Sequence, residues 1–282
     1  MWELTGKNAI VTGANSGIGK VTAHALVELG ASVTLACRNP MRGQAAVDEI
    51  EAATGRRPDL LICDFSDLDT IRRAAAQYRE GHEALHLLVN NAGAYFPRRR
   101  ESPQGYEMSM AVNHLGYFLF THELRPLLEA SAPARIVNVA SAGHRIGRLD
   151  FDDLHFSRRP YVGFVAYGTS KLMNILFTRE LARRLDGTGV TANCLHPGAI
   201  GTGFAQDEPG IFGRFMGLFG FLLSTPEQGA RTSIHLATSP EVDGITGGYF
   251  ARRRPARSSR TGRDMALAGR LWTASESLCE IG

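Results

Sequence analysis

The sequence predicts an α/β protein in which a mostly parallel β-sheet is covered by helices on both faces. Short apolar, β-branched runs alternate along the chain with segments of helical periodicity, which is the pattern of repeated strand–helix units. The chain has 282 residues, 44% of them hydrophobic, enough for one large core. Because no internal repeat or low-complexity linker divides the chain, we expect a single domain.

The elements follow one another in a regular order. Strand-like runs fall at residues 8–11, 32–37, 59–63, 85–90, 134–140 and 189–195, and a seventh strand is expected around Tyr249. Helical patterns fall at residues 18–29, 40–53, 67–80, 104–130, 164–185 and 226–238. Gly30 and Gly187 are placed to end the first and fifth helices, because glycine adopts the left-handed backbone of a helix end. Residues 142–163 and 199–224 are expected to be irregular.

The charge is concentrated at the C-terminus. The formal net charge is +3, and residues 252–282 hold seven arginines against three acids, so the rest of the chain is nearly neutral. We expect residues 251–282 to form a basic tail with a short helix, as a solvated arm. Contact of this tail with nucleic acid or anionic lipid is the alternative, and no nucleic-acid partner is predicted.

The cysteines and the N-terminus exclude several classes of protein. Cys37, Cys63, Cys194 and Cys279 lack the paired spacing of a zinc site or disulfide framework, so no metal is expected. Cys37 and Cys63 lie in strand-like runs and are expected to be buried. The chain shows no signal-peptide pattern and no apolar stretch of membrane-spanning length. We therefore expect a cytoplasmic protein without stable membrane insertion.

A glycine-rich turn joins the first strand to the first helix. Ligands of open α/β sheets bind beyond the carboxyl ends of the strands. Gly13 permits a tight turn, Gly17 lets the backbone approach a pyrophosphate, and Gly19 allows close helix packing. The turn therefore predicts a dinucleotide site whose contacts are Gly13, Asn15, Ser16, Gly17, Ile18 and Gly19.

The ends of the next strands complete the predicted cofactor site. After the second strand, Arg38 stands where an acid is expected for an unphosphorylated ribose, so its guanidinium favours a 2′-phosphate and NADP(H). Asp64 and Phe65 follow the third strand, where the adenine is expected. Asn91, Ala92 and Gly93 form a tight turn after the fourth strand that supports the sheet and borders the cofactor.

A tyrosine and a lysine stand four residues apart in a helical segment. Lys171 is one of three lysines in the chain, and on a helix it lies on the same face as Tyr167. A neighbouring ammonium stabilises a phenolate, so the pair predicts a proton-transfer device with a lowered tyrosine pKa. As an isolated short motif, the pair is a weak signal.

The motifs occur together and in one order, and this order resembles the short-chain dehydrogenase/reductase family over residues 5–250. The residues that carry the resemblance are Thr12-Gly-x-x-x-Gly-x-Gly19, Asn90-Asn-Ala-Gly93, Asn113, Ser141 and Tyr167-x-x-x-Lys171. Segments such as Ala36-Cys-Arg38 and His196-Pro-Gly198 are similar to the retinol-dehydrogenase-like branch. The resemblance implies a Rossmann-like, doubly wound, seven-stranded sheet in a domain spanning residues 1–250.

The resemblance also implies catalytic roles. Tyr167 is the general acid in reduction and the base in oxidation, and Ser141 orients the carbonyl oxygen. Lys171 lowers the tyrosine pKa and holds the nicotinamide ribose, and Asn113 organises a proton relay. The implied cofactor contacts further include Tyr167, Lys171, Pro197 and Gly198. Independently of the resemblance, donors aimed at the carbonyl oxygen are what hydride transfer requires, because that oxygen gains negative charge.

An apolar, aromatic segment lies after the sixth strand. In the family this position holds a substrate lid, here expected at residues 199–224. Its predicted contacts are Phe212, Phe215, Met216 and Phe219. Such a composition suits an apolar substrate. A subunit interface and a shallow membrane contact are the alternatives.

These observations predict an NADP(H)-dependent oxidoreductase that transfers a hydride between nicotinamide and an apolar aldehyde, ketone or alcohol. The alternatives are an NADPH-dependent reductase of a carbon–carbon double bond and a non-catalytic dinucleotide-binding regulator. The helical segments at 104–130 and 164–185 resemble those that pair subunits in the family. We therefore expect a homodimer or homotetramer.

Overall fold

A computed structural model describes residues 4–198 and 225–281 of the chain. Its strands are β1 (Asn8–Thr12), β2 (Ser32–Cys37), β3 (Asp59–Ile62), β4 (Leu87–Asn90), β5 (Ala134–Val139), β6 (Val190–His196), β7 (Tyr249–Ala251) and β8 (Arg254–Pro255). Its longer helices are α1 (Gly17–Glu28), α2 (Pro40–Thr54), α3 (Leu68–Gly81), α4 (Gly116–Ala130), α5 (Gly163–Arg184), α6 (Pro226–Thr238) and α7 (Met265–Leu278). A short helical turn (Met108–Met110) and a π-helical turn (Ala111–Leu115) lead directly into α4.

The strands form one sheet in the order β3-β2-β1-β4-β5-β6-β7-β8. Strands β1 to β7 are parallel and β8 is antiparallel to β7. The fold is therefore the predicted Rossmann-like, doubly wound α/β architecture. The predicted count of seven strands is wrong by one: β8 has two residues, one of them proline, and such a pair carries no strand signal in a sequence.

Helices pack on both faces of the sheet, and each face has its own buried apolar cluster. One cluster centres on α3, α4 and α5, and the other on α1, α2 and α6. Gly30 and Gly187 have φ values of 97° and 77° just beyond α1 and α5, as predicted for helix ends. Cys37 and Cys63 are buried free cysteines, which confirms the prediction for both.

The C-terminal segment differs from the predicted solvated arm. Helix α7 packs on α5, and Trp272 is only 5% exposed. Its ring meets Phe118 of α4 edge-to-face at 4.9 Å and stacks on Phe177 of α5 at 5.9 Å. The expectation of a solvated arm was wrong because it followed the arginines, whereas Ala268, Leu271 and Trp272 recur at helical spacing and bury one face of α7.

The predicted lid residues Phe212, Phe215, Met216 and Phe219 lie outside the described residues. Pro197 and Gly198 are the last residues described before that gap, and Gly198 has a φ of 97°. Within residues 4–198 and 225–281, no helix is both long enough and apolar enough to cross a membrane.

Candidate active site

The glycine turn after β1 packs so closely that side chains are excluded. A Cβ atom on Gly19 would lie 2.4 Å from the Gly13 carbonyl oxygen and 2.5 Å from Asn91 Nδ2. Gly13 and Gly17 have φ values of 65° and 54°, which favour glycine. The Ser16 side chain makes no capping hydrogen bond, and the first turn of α1 contains no acid. The amides and positive dipole of this helix start are therefore available to an anion, which fits a pyrophosphate.

Thr12 and Asn91 fasten the glycine turn to the end of β4. The Thr12 hydroxyl oxygen accepts the backbone N–H groups of Asn91 at 2.9 Å and Ala92 at 2.8 Å. In return, Asn91 Nδ2 donates to the Thr12 carbonyl oxygen at 2.8 Å. This role of Thr12 was not predicted from the sequence, although a threonine at the last position of a strand before a glycine turn was a usable signal.

The end of β2 lies against the same turn. The backbone N–H of Gly13 donates to the Ala36 carbonyl oxygen at 2.8 Å. Burial raises the pKa of the Cys37 thiol to about 11, against the opposing effect of hydrogen bonds from the backbones of Ala14 and Asn15. Arg38 follows directly and is exposed, with no ion pair to any of the described residues. Its guanidinium is therefore open to a phosphate.

Asp64 and Phe65 follow β3 but present different groups to the site. Asp64 Oδ1 accepts hydrogen bonds from the backbone N–H of Ser66 at 2.9 Å and from its hydroxyl at 2.8 Å. The Phe65 ring is 5% exposed and meets Phe120 edge-to-face at 5.4 Å. The Phe65 side chain thus belongs to the core, and only its backbone can face an adenine.

Asn113 lies in the π-helical turn, a local expansion that often marks functional sites. Its side chain pairs with the backbone of Ala94: Oδ1 accepts from the N–H at 2.8 Å and Nδ2 donates to the carbonyl at 2.9 Å. Nδ2 also donates to Ser170 Oγ at 3.0 Å. Asn113 therefore ties the loop after β4 to α5, one residue before Lys171.

Ser141 caps a short 3₁₀ turn (Ala142–Ile146) that begins just beyond β5. Its Oγ accepts the backbone N–H of Gly143 at 3.1 Å. Accepting this bond leaves the hydroxyl proton of Ser141 free to donate to another oxygen. A hydrogen bond with Ser141 lowers the pKa of Tyr167, so the serine hydroxyl and the phenol are neighbours.

Tyr167 and Lys171 lie on α5 as predicted, but their pKa values shift differently from the expectation. Lys171 is 2% exposed, and its Nζ donates to the Val139 carbonyl oxygen at 3.0 Å. Burial lowers the pKa of Lys171 to about 7. Burial also raises the pKa of Tyr167 to about 12, outweighing the hydrogen bond with Ser141. The pKa of Tyr167 thus shifts opposite to the predicted lowering, because desolvation outweighs the effect of Ser141.

Because Gly93 has no side chain, the polar atoms of Lys171 and Asn113 next to it stay uncovered. A Cβ atom on Gly93 would lie 3.2 Å from Asn113 Oδ1 and 3.3 Å from Lys171 Nζ. The absence of a side chain therefore leaves both polar atoms bordering the space beyond β4. This space is where the resemblance places the nicotinamide ribose.

Two aromatic side chains, Tyr95 and Phe164, lie next to each other beside the Tyr167 phenol. The Tyr95 ring meets Tyr167 edge-to-face at 6.2 Å and lies 5.4 Å from Phe164, which is 42% exposed. Neither Tyr95 nor Phe164 was predicted from the sequence as a site residue. An aromatic residue two positions after Gly93, at the end of a parallel strand, was the available signal.

Comparisons with known proteins agree with this architecture. A profile of the short chain dehydrogenase family matches residues 7–209. Retinol dehydrogenase 11 of Homo sapiens is 43% identical over 275 residues, covering 97% of this chain and 86% of the relative. Retinol dehydrogenase 12 of Mus musculus is 40% identical over 281 residues, covering 99% and 87%. A solved structure from Mycobacterium Paratuberculosis has a TM-score of 0.81 at 31% identity, covering 99% of this chain and 96% of that one.

The chain belongs to the short chain dehydrogenase family, whose fold and site define a dinucleotide-dependent dehydrogenase. Within the family it falls in the retinol-dehydrogenase-like branch, since its relatives at about 40% identity over nearly the whole chain are retinol dehydrogenases. The resemblance stated from the motifs is thereby confirmed.

Proposed function

We propose that the protein is an NADP(H)-dependent oxidoreductase that interconverts an apolar alcohol and its aldehyde or ketone. The observation that carries the proposal is the meeting of Ser141 and Tyr167 at the carboxyl end of β5, with Lys171 beside them on α5. These groups supply two donors for one substrate oxygen and a lysine behind them.

The two donors act on the substrate oxygen during reduction. With a pKa of about 12, Tyr167 is protonated at neutral pH and holds the proton that the oxygen needs. Ser141 donates its hydroxyl hydrogen to the same oxygen, since the Gly143 N–H uses only one acceptor lone pair of Oγ and leaves the proton available. The bound nicotinamide supplies the hydride in reduction and accepts it in oxidation. Hydrogen-bond donors that are already oriented before the reaction stabilise the negative charge that develops on the oxygen.

The preference for NADP(H) rests on Arg38. It is exposed at the end of β2, beside the glycine turn, and no acid among the described residues pairs with it. A guanidinium binds a phosphate through paired hydrogen bonds, whereas a ribose hydroxyl calls for an acid at this position.

An apolar substrate is supported by two observations. Tyr95 and the exposed Phe164 present an aromatic surface next to Tyr167. The relatives at about 40% identity carry the name retinol dehydrogenase, which denotes an apolar alcohol as the substrate of those proteins. A homodimer or homotetramer in the cytoplasm stays our proposal for the assembly and location.

The test is turnover of a panel of apolar aldehydes, ketones, alcohols and enones with NADPH or NADP⁺ and, in parallel, NADH or NAD⁺. We expect carbonyl reduction with NADPH. Tyr167→Phe should lower kcat by about 10²- to 10⁴-fold, the usual contribution of a general acid. The affinity for NADPH should stay within about threefold.

Three outcomes contradict the proposal. Turnover of enones alone indicates a carbon–carbon double-bond reductase. Binding of NADPH without any turnover indicates a regulator. A preference for NADH over NADPH indicates that Arg38 does not bind a 2′-phosphate.

A further inference from the structure

His144 links the catalytic serine to the C-terminal part of the chain. It is 1% exposed. Its Nδ1 lies 2.7 Å from the carbonyl oxygen of Ser141, and its Nε2 accepts the backbone N–H of Ser259 at 3.0 Å. The ring packs edge-to-face on Tyr249 of β7 at 5.3 Å.

These partners define a neutral imidazole with a fixed tautomer. A carbonyl oxygen only accepts, so Nδ1 must carry the hydrogen, and Nε2 must be unprotonated to accept from Ser259. The groups around the ring are Arg145 on its own turn, His196 at the end of β6, Tyr249 on β7 and the C-terminal segment. Burial lowers the pKa of His144 against the opposing effect of the hydrogen bond to the Ser141 carbonyl group, and Arg145 and His196 lower it further, which favours the neutral ring that both hydrogen bonds require.

The turn that carries Ser141 is held by contacts with other parts of the chain. It packs against α5 on one side, and on the other side His144 and Arg145 join it to the C-terminal segment. Arg145 donates to the Arg257 carbonyl oxygen at 2.9 Å, and the Ala256 N–H donates to the Tyr249 carbonyl oxygen at 2.8 Å. The segment at 256–259 is thus fixed to β7 and presents the Ser259 N–H to His144.

We propose that His144 is a positioning residue that orients Ser141 by bridging its carbonyl group to the Ser259 backbone, so that the C-terminal segment is part of the catalytic apparatus. The inference rests on the proposed function, because it concerns the serine that binds the substrate oxygen. The motifs that carry the family resemblance contain neither His144 nor Ser259, so they do not predict this link.

A double-mutant cycle between His144 and Ser141 tests the proposal. His144→Leu removes both hydrogen bonds at similar volume, and we expect kcat to fall about 10- to 100-fold, as for a small displacement of a catalytic group. NADPH affinity should be unchanged within about twofold. His144→Gln, whose amide both donates and accepts, should recover most of the loss.

The decisive comparison is made in a Ser141→Ala background. If His144 acts through Ser141, His144→Leu should lower kcat by less than about twofold there, because the group that it positions is gone. Equal losses in both backgrounds, or no recovery with His144→Gln, would overturn the positioning role. Absence of turnover in the wild-type protein would instead overturn the proposed function.

A second histidine provides the control. His86 also accepts a backbone N–H, from Asn8 at 3.1 Å, but it lies just before β4, at the end of that strand opposite the candidate site. His86→Leu should leave kcat unchanged. Thermal unfolding of each variant shows whether a loss of kcat comes from a loss of folded protein.

Discussion

At the scale of single residues, burial sets the protonation of the two titratable groups on α5. Lys171 has a pKa lowered to about 7 and Tyr167 a pKa raised to about 12. Near neutrality the phenol is therefore the proton donor, and the lysine is close to its midpoint. A lysine that titrates in this range makes the site sensitive to pH, and the same shift must appear in the stability of the fold.

The Lys171 shift predicts a pH-dependent difference between the wild-type protein and Lys171→Met. The unfolded lysine has a pKa of 10.5 and the folded one about 7, so between these values the unfolded chain binds a proton that the folded protein lacks. The contribution of Lys171 to the wild-type free energy of unfolding should therefore rise with pH in this window. Methionine has no charge to desolvate, so the variant's advantage over wild type should be largest below pH 7 and shrink as pH rises.

Urea unfolding of both proteins between pH 6 and about 9.5 measures this difference. The upper limit avoids Tyr167, whose raised pKa makes the folded protein lose stability as pH rises from 10 to about 12. A difference that is the same at every pH would contradict the lowered pKa.

At the scale of elements, a seam of glycines (Gly143, Gly147 and Gly168) sets the distance between the turn that carries Ser141, here called the serine turn, and helix α5, which carries Tyr167. A Cβ atom on Gly168 of α5 would lie 2.6 Å from the Gly143 carbonyl oxygen, and one on Gly147 would lie 2.5 Å from the Gly168 carbonyl oxygen. Such distances are far inside van der Waals contact. Ser141 and Tyr167 can approach one substrate oxygen because these two backbones touch.

Gly168→Ala should therefore push the serine turn away from α5. We expect kcat to fall at least about 10-fold. The NADPH affinity should be nearly unchanged, because the turns after β1 and β4 that are predicted to bind the cofactor do not contact Gly168. Gly269→Ala is the matched control: this glycine also lies in a helix, but a Cβ there meets nothing within 4 Å. That change should leave kcat unaltered and stabilise α7 by up to about 1 kcal/mol. Equal kcat values for both variants would show that the seam does not set the geometry.

The elements also show what the sequence was able to predict. The strands follow from local periodicity, and the glycine turn follows from positions that only glycine can occupy. Their predicted positions therefore agree with the structure within a few residues. The π-helical turn at Asn113, the two-residue β8 and the Gly147–Gly168 contact depend on partners distant in the chain. Likewise, the burial that raises the Tyr167 pKa is a property of the packed molecule, which a four-residue spacing does not contain.

At the scale of the whole molecule, the C-terminal segment completes the core and covers faces that were expected to pair subunits. Trp272 of α7 lies over Phe118 of α4 and Phe177 of α5. His114 of the π-helical turn adds a buried hydrogen bond to Ser275 Oγ at 2.8 Å. An oligomer of this chain would therefore use a surface other than the part of α4 and α5 beneath Trp272.

Trp272→Ala measures how firmly α7 is held. The ring is buried against two phenylalanines and the guanidinium of Arg184, whose central carbon lies 4.3 Å from the ring centroid. Loss of a buried tryptophan should lower the free energy of unfolding by about 3–5 kcal/mol in urea titrations. Thr273→Ala, at the next and exposed position, is the control and should change it by less than about 0.5 kcal/mol. If Trp272→Ala left stability unchanged and altered the mass seen by light scattering, α7 would be displaced in solution and the faces of α4 and α5 would be free to pair subunits.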